Sequence, residues 1–550
     1  MRNFKWLSVT LVFLLMGIYN GMAQNYLDVP PDPNYSSDYL NKVIYGDTTS
    51  TGDRVADRVY RLEPGGIYYF NNIIKIKGDL KIVAEGQSNS GFDKAIILTG
   101  TNDQGNRPGR FAETHGDVVF KNLYFSCVTD KDKQILDLVR MYSDSALIDM
   151  ENCFVEWPKL YVFRVYSSHN TVIIKDSYFR NITGVGGPFN GKVLGFEDTP
   201  AEKVLMQNNT MVNIQGPLFK GRFNTIKFFK FDHNTVVNTL KWPFHFEYWT
   251  NGEVTNNIFF NTAAYGENKK DASNQDPEGL MFGIINLYTV PDSLLAQVGL
   301  HSQSERKLVV KNNLYYFDQK VKDYLADWWQ KDSVKEEPWV NERTKAWADD
   351  DTNFPYIDIE DPITDDPGFF EYPTPDSMIK KMDQWRTDGK KKTWWWVDDD
   401  GDKVSNATDR PHNLAYSTDS PAYTAADGGF PLGDLNWFPD KKEEWVTAIS
   451  HKQTNGVPSD FSLLQNYPNP FNPTTKITFL MKKAGRAQLT VYNVLGEKVI
   501  TLANKKFAAG KHSVVWKGLN EAGNKVPSGI YLCRFQSGKS QAVIKMVLVR

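Results

Sequence analysis

The chain has 550 residues, with 63 Lys plus Arg against 66 Asp plus Glu and a net charge of −3, which is long enough for more than one hydrophobic core. No basic block follows the spacing of a phosphate backbone, so the charge pattern argues against nucleic acid as a partner. The three cysteines, Cys127, Cys153 and Cys533, stand too far apart for a CxxC metal knuckle or a dense disulfide framework and read as buried free thiols.

At the N-terminus Arg2 and Lys5 precede the apolar run Leu7 to Ile18 and the small-x-small site Gly21-Met22-Ala23. That layout predicts a secretory signal peptide over residues 1–23, with the mature chain starting near Gln24. Its apolar core is too short for a bilayer, and no later stretch approaches ~20 uninterrupted apolar residues. The mature chain is therefore expected to lack a transmembrane span, and no cysteine stands near the cleavage site to carry a lipid. Residues 24–110 include the strand-like run Ile67 to Gly86 and are expected to form a cap and the first coils of a repetitive body.

From residue 111 to about 440 one unit recurs. An alternating apolar stretch meets a polar pair and continues at once into another short apolar stretch, as in VVFKNLYF, VLMQNNTMV, FFKFDHNTVV and LVVKNNLYYF. The second polar residue of each unit falls at Asn122, Asn152, Ser177, Asn209, Asn234, Asn257 and Asn313, separated by 30, 25, 32, 25, 23 and 56 residues. A period of this size with short period-2 strands predicts a solenoid, the last interval being two turns or one turn with an insertion. The unit resembles the coil of the right-handed parallel β-helix of the pectate-lyase-like superfamily. There, asparagines at one turn stack along the axis, because a side-chain amide carries both donors and an acceptor. A charged, Trp-rich insertion at about 321–410 interrupts the body, its first part helical. Asp366-Pro367-Gly368-Phe369, Ser420-Pro421-Ala422-Tyr423 and Gly433-Asp434 resemble the closing segment of secreted Bacteroidetes β-helix proteins.

After a polar stretch read as a linker, 441–460, alternating strands separated by Gly, Asn and Pro turns predict a small Ig-like β-sandwich over 461–550. The overall fold class is thus all-β, a parallel β-helix followed by that sandwich. Tyr467-Pro468-Asn469-Pro470-Phe471, Tyr492-Asn493-Val494-Leu495-Gly496, Gly529-Ile530-Tyr531 and Lys545-Met546-Val547 resemble, in order and spacing, the type A sorting domain of type IX secretion. The resemblance implies export across an outer membrane by that machinery and removal of the domain by a sortase. The mature body is then released or attached to the surface. The rival reading is an ordinary Ig-like adhesion module.

Strand alternation upstream of each turn sends one set of charges outward: Asp137, Arg164, Glu197, Lys220, Arg222, His245 and Glu247. Successive coils ~4.8 Å apart would align them as a stripe on one face. The composition suits an acidic extracellular polysaccharide. Eliminating across a uronate requires its carboxylate to be neutralised, by Arg or by Ca²⁺ on carboxylates, and a base such as Lys. In the β-helix polysaccharide lyases Lys, Arg and carboxylates do this on the same face. The assignment is Lys220 as base, Arg222 and Arg164 as neutralisers or acid, and His245 as auxiliary, with Asp137, Glu197 and Glu247 as candidate Ca²⁺ ligands. Two alternatives stay open. One is an inverting glycoside hydrolase using Glu197 and Glu247, two coils or roughly 9–10 Å apart. The other is a non-catalytic glycan-binding or adhesin-type surface protein whose stripe is a solvated charge ladder. Trp394, Trp395 and Trp396 are candidates for sugar stacking, and Asp398 to Asp402 has the look of an acidic turn or a calcium loop.

Overall fold

A computed structural model of the protein describes residues 25–48, 50, 55–86, 93–184, 189–221, 223–271, 276, 278–388, 412–453, 461–463, 466, 471–481, 484–493, 497–508, 510–537 and 540–548. The signal peptide, Arg222, Trp394 to Trp396, the acidic stretch Asp398 to Asp402, Tyr467 to Pro470 and Val494 to Gly496 lie outside the described residues. The chain forms two compact units, residues 1–438 and 439–550.

Three parallel sheets wind the first unit into a parallel β-helix. An eleven-stranded sheet runs from Asn25–Val29 to Ile357–Ile359, a nine-stranded sheet from Ile67–Phe70 to Leu314–Tyr316, and a seven-stranded sheet from Ile74–Ile76 to Phe244–His245. One coil illustrates the path. Leu147–Glu151 lies in the eleven-stranded sheet, Phe154–Glu156 in the nine-stranded sheet and Tyr161–Val165 in the seven-stranded sheet. Each pairs in parallel register with its counterpart one coil on. Phe120, Phe163, Phe229, Phe231 and Trp249 fill the interior with other apolar side chains, and stacking them coil upon coil is what a single coil could not do alone. At the first coil, helix Tyr39–Gly46 adds Leu40 and Ile44 to that core.

The predicted asparagine turn separates into two neighbouring columns. In the outer column Asn122, Asn152, Asp176, Asn208, His233, Asn256 and Asn312 all hold φ between +50° and +61°. Asn and Asp tolerate this left-handed conformation better than most side chains. The inner column is buried and hydrogen-bonded. Nδ2 of Asn209 donates to Asn234 Oδ1 (2.9 Å), Asn234 to Asn257 (3.1 Å) and Asn257 to Asn313 (2.9 Å), while the backbone N–H of Ser177 donates to Asn209 Oδ1 (3.0 Å). Asn122 and Asn152 therefore belong to the outer column, and Cys153, whose N–H meets Ser177 Oγ at 3.1 Å, takes the inner place in its coil. Asn257 stacks directly on Asn313, so the 56-residue interval is one coil carrying an insertion. A second ladder, Asn181, Asn213, Asn238 and Asn261, lies four residues after the inner column and repeats the left-handed geometry.

The insertion contains helices Gln319–Asp332 and Glu342–Ala348, capped by Asp318 and Asn341, and helix Asp376–Asp388. Trp328, Trp339 and Trp385 are buried in the main core. Residues 412–438 then run back as a strap over the nine-stranded sheet, where Leu414, Tyr416, Ala422 and Leu432 cover Val212, Val237, Ile258, Phe260 and Leu314. Asp434 fixes its far end, accepting from Thr210 Oγ1 (2.7 Å) while its own N–H donates to Thr235 Oγ1 (2.8 Å).

In the second unit, helix Pro439–Gln453 occupies part of the stretch expected as a linker. Beyond it a three-stranded and a four-stranded antiparallel sheet enclose Ile477, Phe479, Leu489, Val491, Trp516, Cys533, Phe535 and Met546. Phe471 anchors the domain's start, its N–H donating to Val547 O (2.9 Å) and its ring meeting Trp516 at 5.4 Å. All three cysteines are buried and unpaired, and burial pushes the thiols of Cys153 and Cys533 up to about 12. Among the described residues no helix is long and apolar enough to cross a membrane.

Candidate active site on the seven-stranded sheet

The outward row of the seven-stranded sheet is Lys75, Glu113, Arg140, Arg164, Gly195, Lys220 and His245, aligned by register. A second row holds Arg110, Asp137, Tyr161 and Lys192, and a third continues through Tyr142, Tyr166 and Glu197, each N–H bonded to the preceding coil. The strands are not strictly alternating. Leu138 and Val139, Val162 and Phe163, and Val193 and Leu194 are consecutive pairs that all enter the core. This shared kink reverses parity, so Tyr161 and Lys192, which period-2 alternation sends inward, join the site. Tyr161 lies across Gly195, where a Cβ would stand only 2.4 Å from its Cε1.

At the centre is Glu197. Its Oε1 accepts from Arg164 Nε (3.1 Å), and Oε2 from Lys220 Nζ (2.8 Å). Burial pushes its carboxyl up, but the bond and charge of Lys220, the Tyr161 hydroxyl and Arg164 outweigh this and hold it below its usual range. The Arg164 guanidinium also sits over Tyr161 (4.8 Å) and Tyr166 (5.2 Å). Beneath them Lys192 is 6% exposed, with Nζ 5.0 Å from the Tyr161 ring and bonded to Phe189 O. Burial first, then the charges of Lys220 and Arg164 against the pull of Glu197, bring its amine down to about 7. Burial and the Glu197 charge raise the Tyr161 phenol, which stays protonated.

Arg164, Glu197 and Lys220 thus form one network. The other charged positions differ from the sequence expectation. Asp137 is 0% exposed and does not point into solvent. It accepts from Arg140 Nε (2.6 Å), its Oδ1 is buried without a hydrogen bond, and burial raises its carboxyl against the charges of Arg140, Arg164 and Arg110. His245 lies at the end of the sheet, edge-on to Trp242 and Phe282, with Nε2 3.5 Å from Glu247 Oε1. Glu247 is itself 1% exposed. The three candidate calcium ligands do not converge: each faces a basic group, and among the described residues no three His, Cys, Asp or Glu side chains are arranged to hold a metal. The residues present do not fit a calcium ion of the kind the β-helix resemblance implies.

Residues 470–540 match the FlgD Ig-like domain family. That match agrees with the C-terminal sandwich. No curated protein matches the chain. Solved structures similar to part of it include dimeric latent PorU from Porphyromonas gingivalis, at 19% identity over 17% of this chain and 10% of that one, with a TM-score of 0.15. PorZ of the same organism, a surface component of its type IX secretion system, is 21% identical over 16% of this chain and 11% of that one, with a TM-score of 0.13. FlgD from P. aeruginosa is 24% identical over 16% of this chain and 67% of that one, with a TM-score of 0.12. The chain spans only about a tenth of the two Porphyromonas proteins it matches.

Proposed function

We propose that this surface cleaves a uronate-containing extracellular polysaccharide by β-elimination, with Lys192 as the base. The observation that carries the reading is an amine brought to about 7 beside a cationic network, which makes it a proton acceptor at working pH where an ordinary lysine would be charged. Lys192 takes the proton from the carbon next to the uronate carboxylate. The released electron pair forms the new C=C bond, and the bond to the glycosidic oxygen breaks. Arg164 and Lys220 offset the carboxylate charge as it delocalises, with Arg222 as a further cation. The Tyr161 hydroxyl supplies the proton that the departing oxygen takes up. Lys220 thereby changes role from base to neutraliser, because its ammonium is bound to Glu197 at 2.8 Å.

The hydrolase alternative is weaker physically. An inverting enzyme needs two carboxyl groups at the sugar, one as acid and one as base, and Glu247, the partner of Glu197 in that reading, is 1% exposed beside His245. A binding surface without turnover is the second reading, favoured by the mutual pairing of Arg164, Glu197 and Lys220. We place this work outside the cell, the signal peptide and the type IX sorting motifs supplying the route and a sortase the final cut.

The test is incubation of the purified chain with pectate, alginate and chondroitin, with and without Ca²⁺. Ultraviolet-absorbing unsaturated ends, lost in Lys192→Ala, support the lyase. New reducing ends without absorbance indicate a hydrolase, and neither product from any polymer contradicts both enzyme readings.

A further inference from the structure

Three aromatic rings stand one above another in the third outward row of the seven-stranded sheet, on the coils that precede Glu197. The His115 and Tyr142 ring centroids are 5.5 Å apart at 24°, and those of Tyr142 and Tyr166 are 5.2 Å apart at 11°. None of the three belongs to the apolar core: His115 is exposed, Tyr142 is 37% exposed and Tyr166 is half-buried. The rings cover one another's faces, so what meets solvent is their edges, which carry the phenol and imidazole groups. Arg140 and Arg164 run alongside on the same coils, both guanidiniums over the Tyr166 ring at 5.9 and 5.2 Å. Each uses Nε for one carboxylate, Asp137 and Glu197 respectively, and among the described residues neither meets a second carboxylate. Arg140 also reaches the Tyr142 hydroxyl, and the remaining terminal N–H groups suit an outside acceptor. On the other side of the network the row closes. Beyond Lys220 it ends at His245, 9% exposed and edge-on to Trp242 and Phe282, whose rings stack at 4.3 Å. Toward the first coil it stays open, the Lys75 side chain being 64% exposed.

We propose that the polysaccharide extends from the Lys192 and Tyr161 site to one side only, over Tyr166, Tyr142 and His115, with Arg140 and Arg164 on its carboxylates. Coils advance ~4.8 Å, close to the advance of one sugar ring in an extended chain, so each step of the aromatic ladder meets one sugar. Along this face Lys75, Arg110, Arg140, Arg164 and Lys220 stand against Glu113, Asp137 and Glu197, an excess of positive charge that selects a uronate polymer. Tyr142 and His115 are positioning residues and do not touch the reacting atoms. The inference rests on the proposed function only for the identity of the ligand.

The experiment is calorimetric titration of the full chain with galacturonate, alginate and chondroitin oligomers of increasing length, for the wild type, Tyr142→Ala and His115→Ala. For the oligomer series that the wild type binds, affinity rises with each added sugar until the ladder is covered and then levels off. Tyr142→Ala weakens the longer oligomers about tenfold and leaves the shortest within about twofold of the wild type. His115→Ala, a change to an exposed side chain outside the core, acts only on oligomers longer than the first that Tyr142→Ala affects. A ladder that merely held the coils together would weaken every length alike or none. Affinity that does not grow with length, loss at all lengths alike, or the full gain kept in both variants overturns the proposal. A wild type that binds no oligomer overturns it as well. Length-dependent binding lost in the variants without any unsaturated product sinks the lyase and leaves the ladder standing, whereas unsaturated product with the length gain intact in both variants does the reverse.

Discussion

Replacing Asn234 by alanine isolates the contribution of the inner asparagine ladder. Its Oδ1 accepts from the backbone N–H (3.1 Å) and Nδ2 (2.9 Å) of Asn209, and its Nδ2 donates to Met206 O (3.0 Å), Asp232 O (3.2 Å) and Asn257 Oδ1 (3.1 Å). Truncation removes the acceptor of the Asn209 N–H in a site closed to water, a loss of about 1–3 kcal/mol. The Asn209 amide bond and the two bonds that the Nδ2 protons can make add net contributions of about 0.5–1.5 kcal/mol each, so about 2.5–7.5 kcal/mol is expected in total. Asn152→Ala is the comparison, because Asn152 lies in the partly exposed outer column, its Nδ2 donating to Asn122 Oδ1 (2.8 Å) and, at the exposed edge, to Asp93 Oδ2 (3.5 Å). It should cost about 1–2 kcal/mol, including the left-handed backbone penalty. Both are measured as shifts of the denaturant midpoint of the β-helix, followed by tryptophan fluorescence. If Asn234→Ala costs no more than Asn152→Ala, the buried ladder is not a source of stability.

Three further outcomes rest on particular contacts. Gly195→Ala should cut elimination at least tenfold, about 1.4 kcal/mol in the barrier, because the new Cβ displaces Tyr161; unchanged turnover would remove Tyr161 from the site. Asp434→Ala should free the strap at a cost of about 2–3 kcal/mol by losing its bonds with Thr210 and Asn436, seen as new protease cleavage within 412–438; an unchanged digestion pattern would contradict it. Glu337 is buried against Glu267 and Lys241, and burial, then the Glu267 charge, raise its carboxyl well above 4.5. As pH rises from that value toward the folded-state pKa, the unfolded chain sheds a proton the folded one keeps, so stability falls. Glu337→Gln should therefore flatten the decline of melting temperature over this window, and parallel curves would refute it.

Much of the fold was legible because its cause is periodic. Asn209, Asn234, Asn257 and Asn313 recur with apolar strands on either side, and only stacked coils bring such residues together. The second ladder was missed, although its signal stands in the sequence as an asparagine four positions after each of Asn209, Asn234 and Asn257, a spacing that strand reading passes over. The site was only partly legible. Alternation placed Arg164, Glu197 and Lys220 on one surface, where they meet in one ion-pair network. It hid Lys192 and Tyr161, since the kink that turns Val193 and Leu194 both inward depends on neighbouring coils. It also sent Asp137 outward, where the packing of Arg140 over it leaves no exposure.

The assignment of Lys192 as the base is central, and the pH dependence of kcat/KM on whichever polymer is cleaved tests it most directly. A rise is expected as pH passes about 7, where the Lys192 amine loses its proton, together with loss of unsaturated product in Lys192→Ala while the β-helix stays folded. A wild-type profile flat through that region, or a Lys192→Ala chain that eliminates at the wild-type rate, would contradict it.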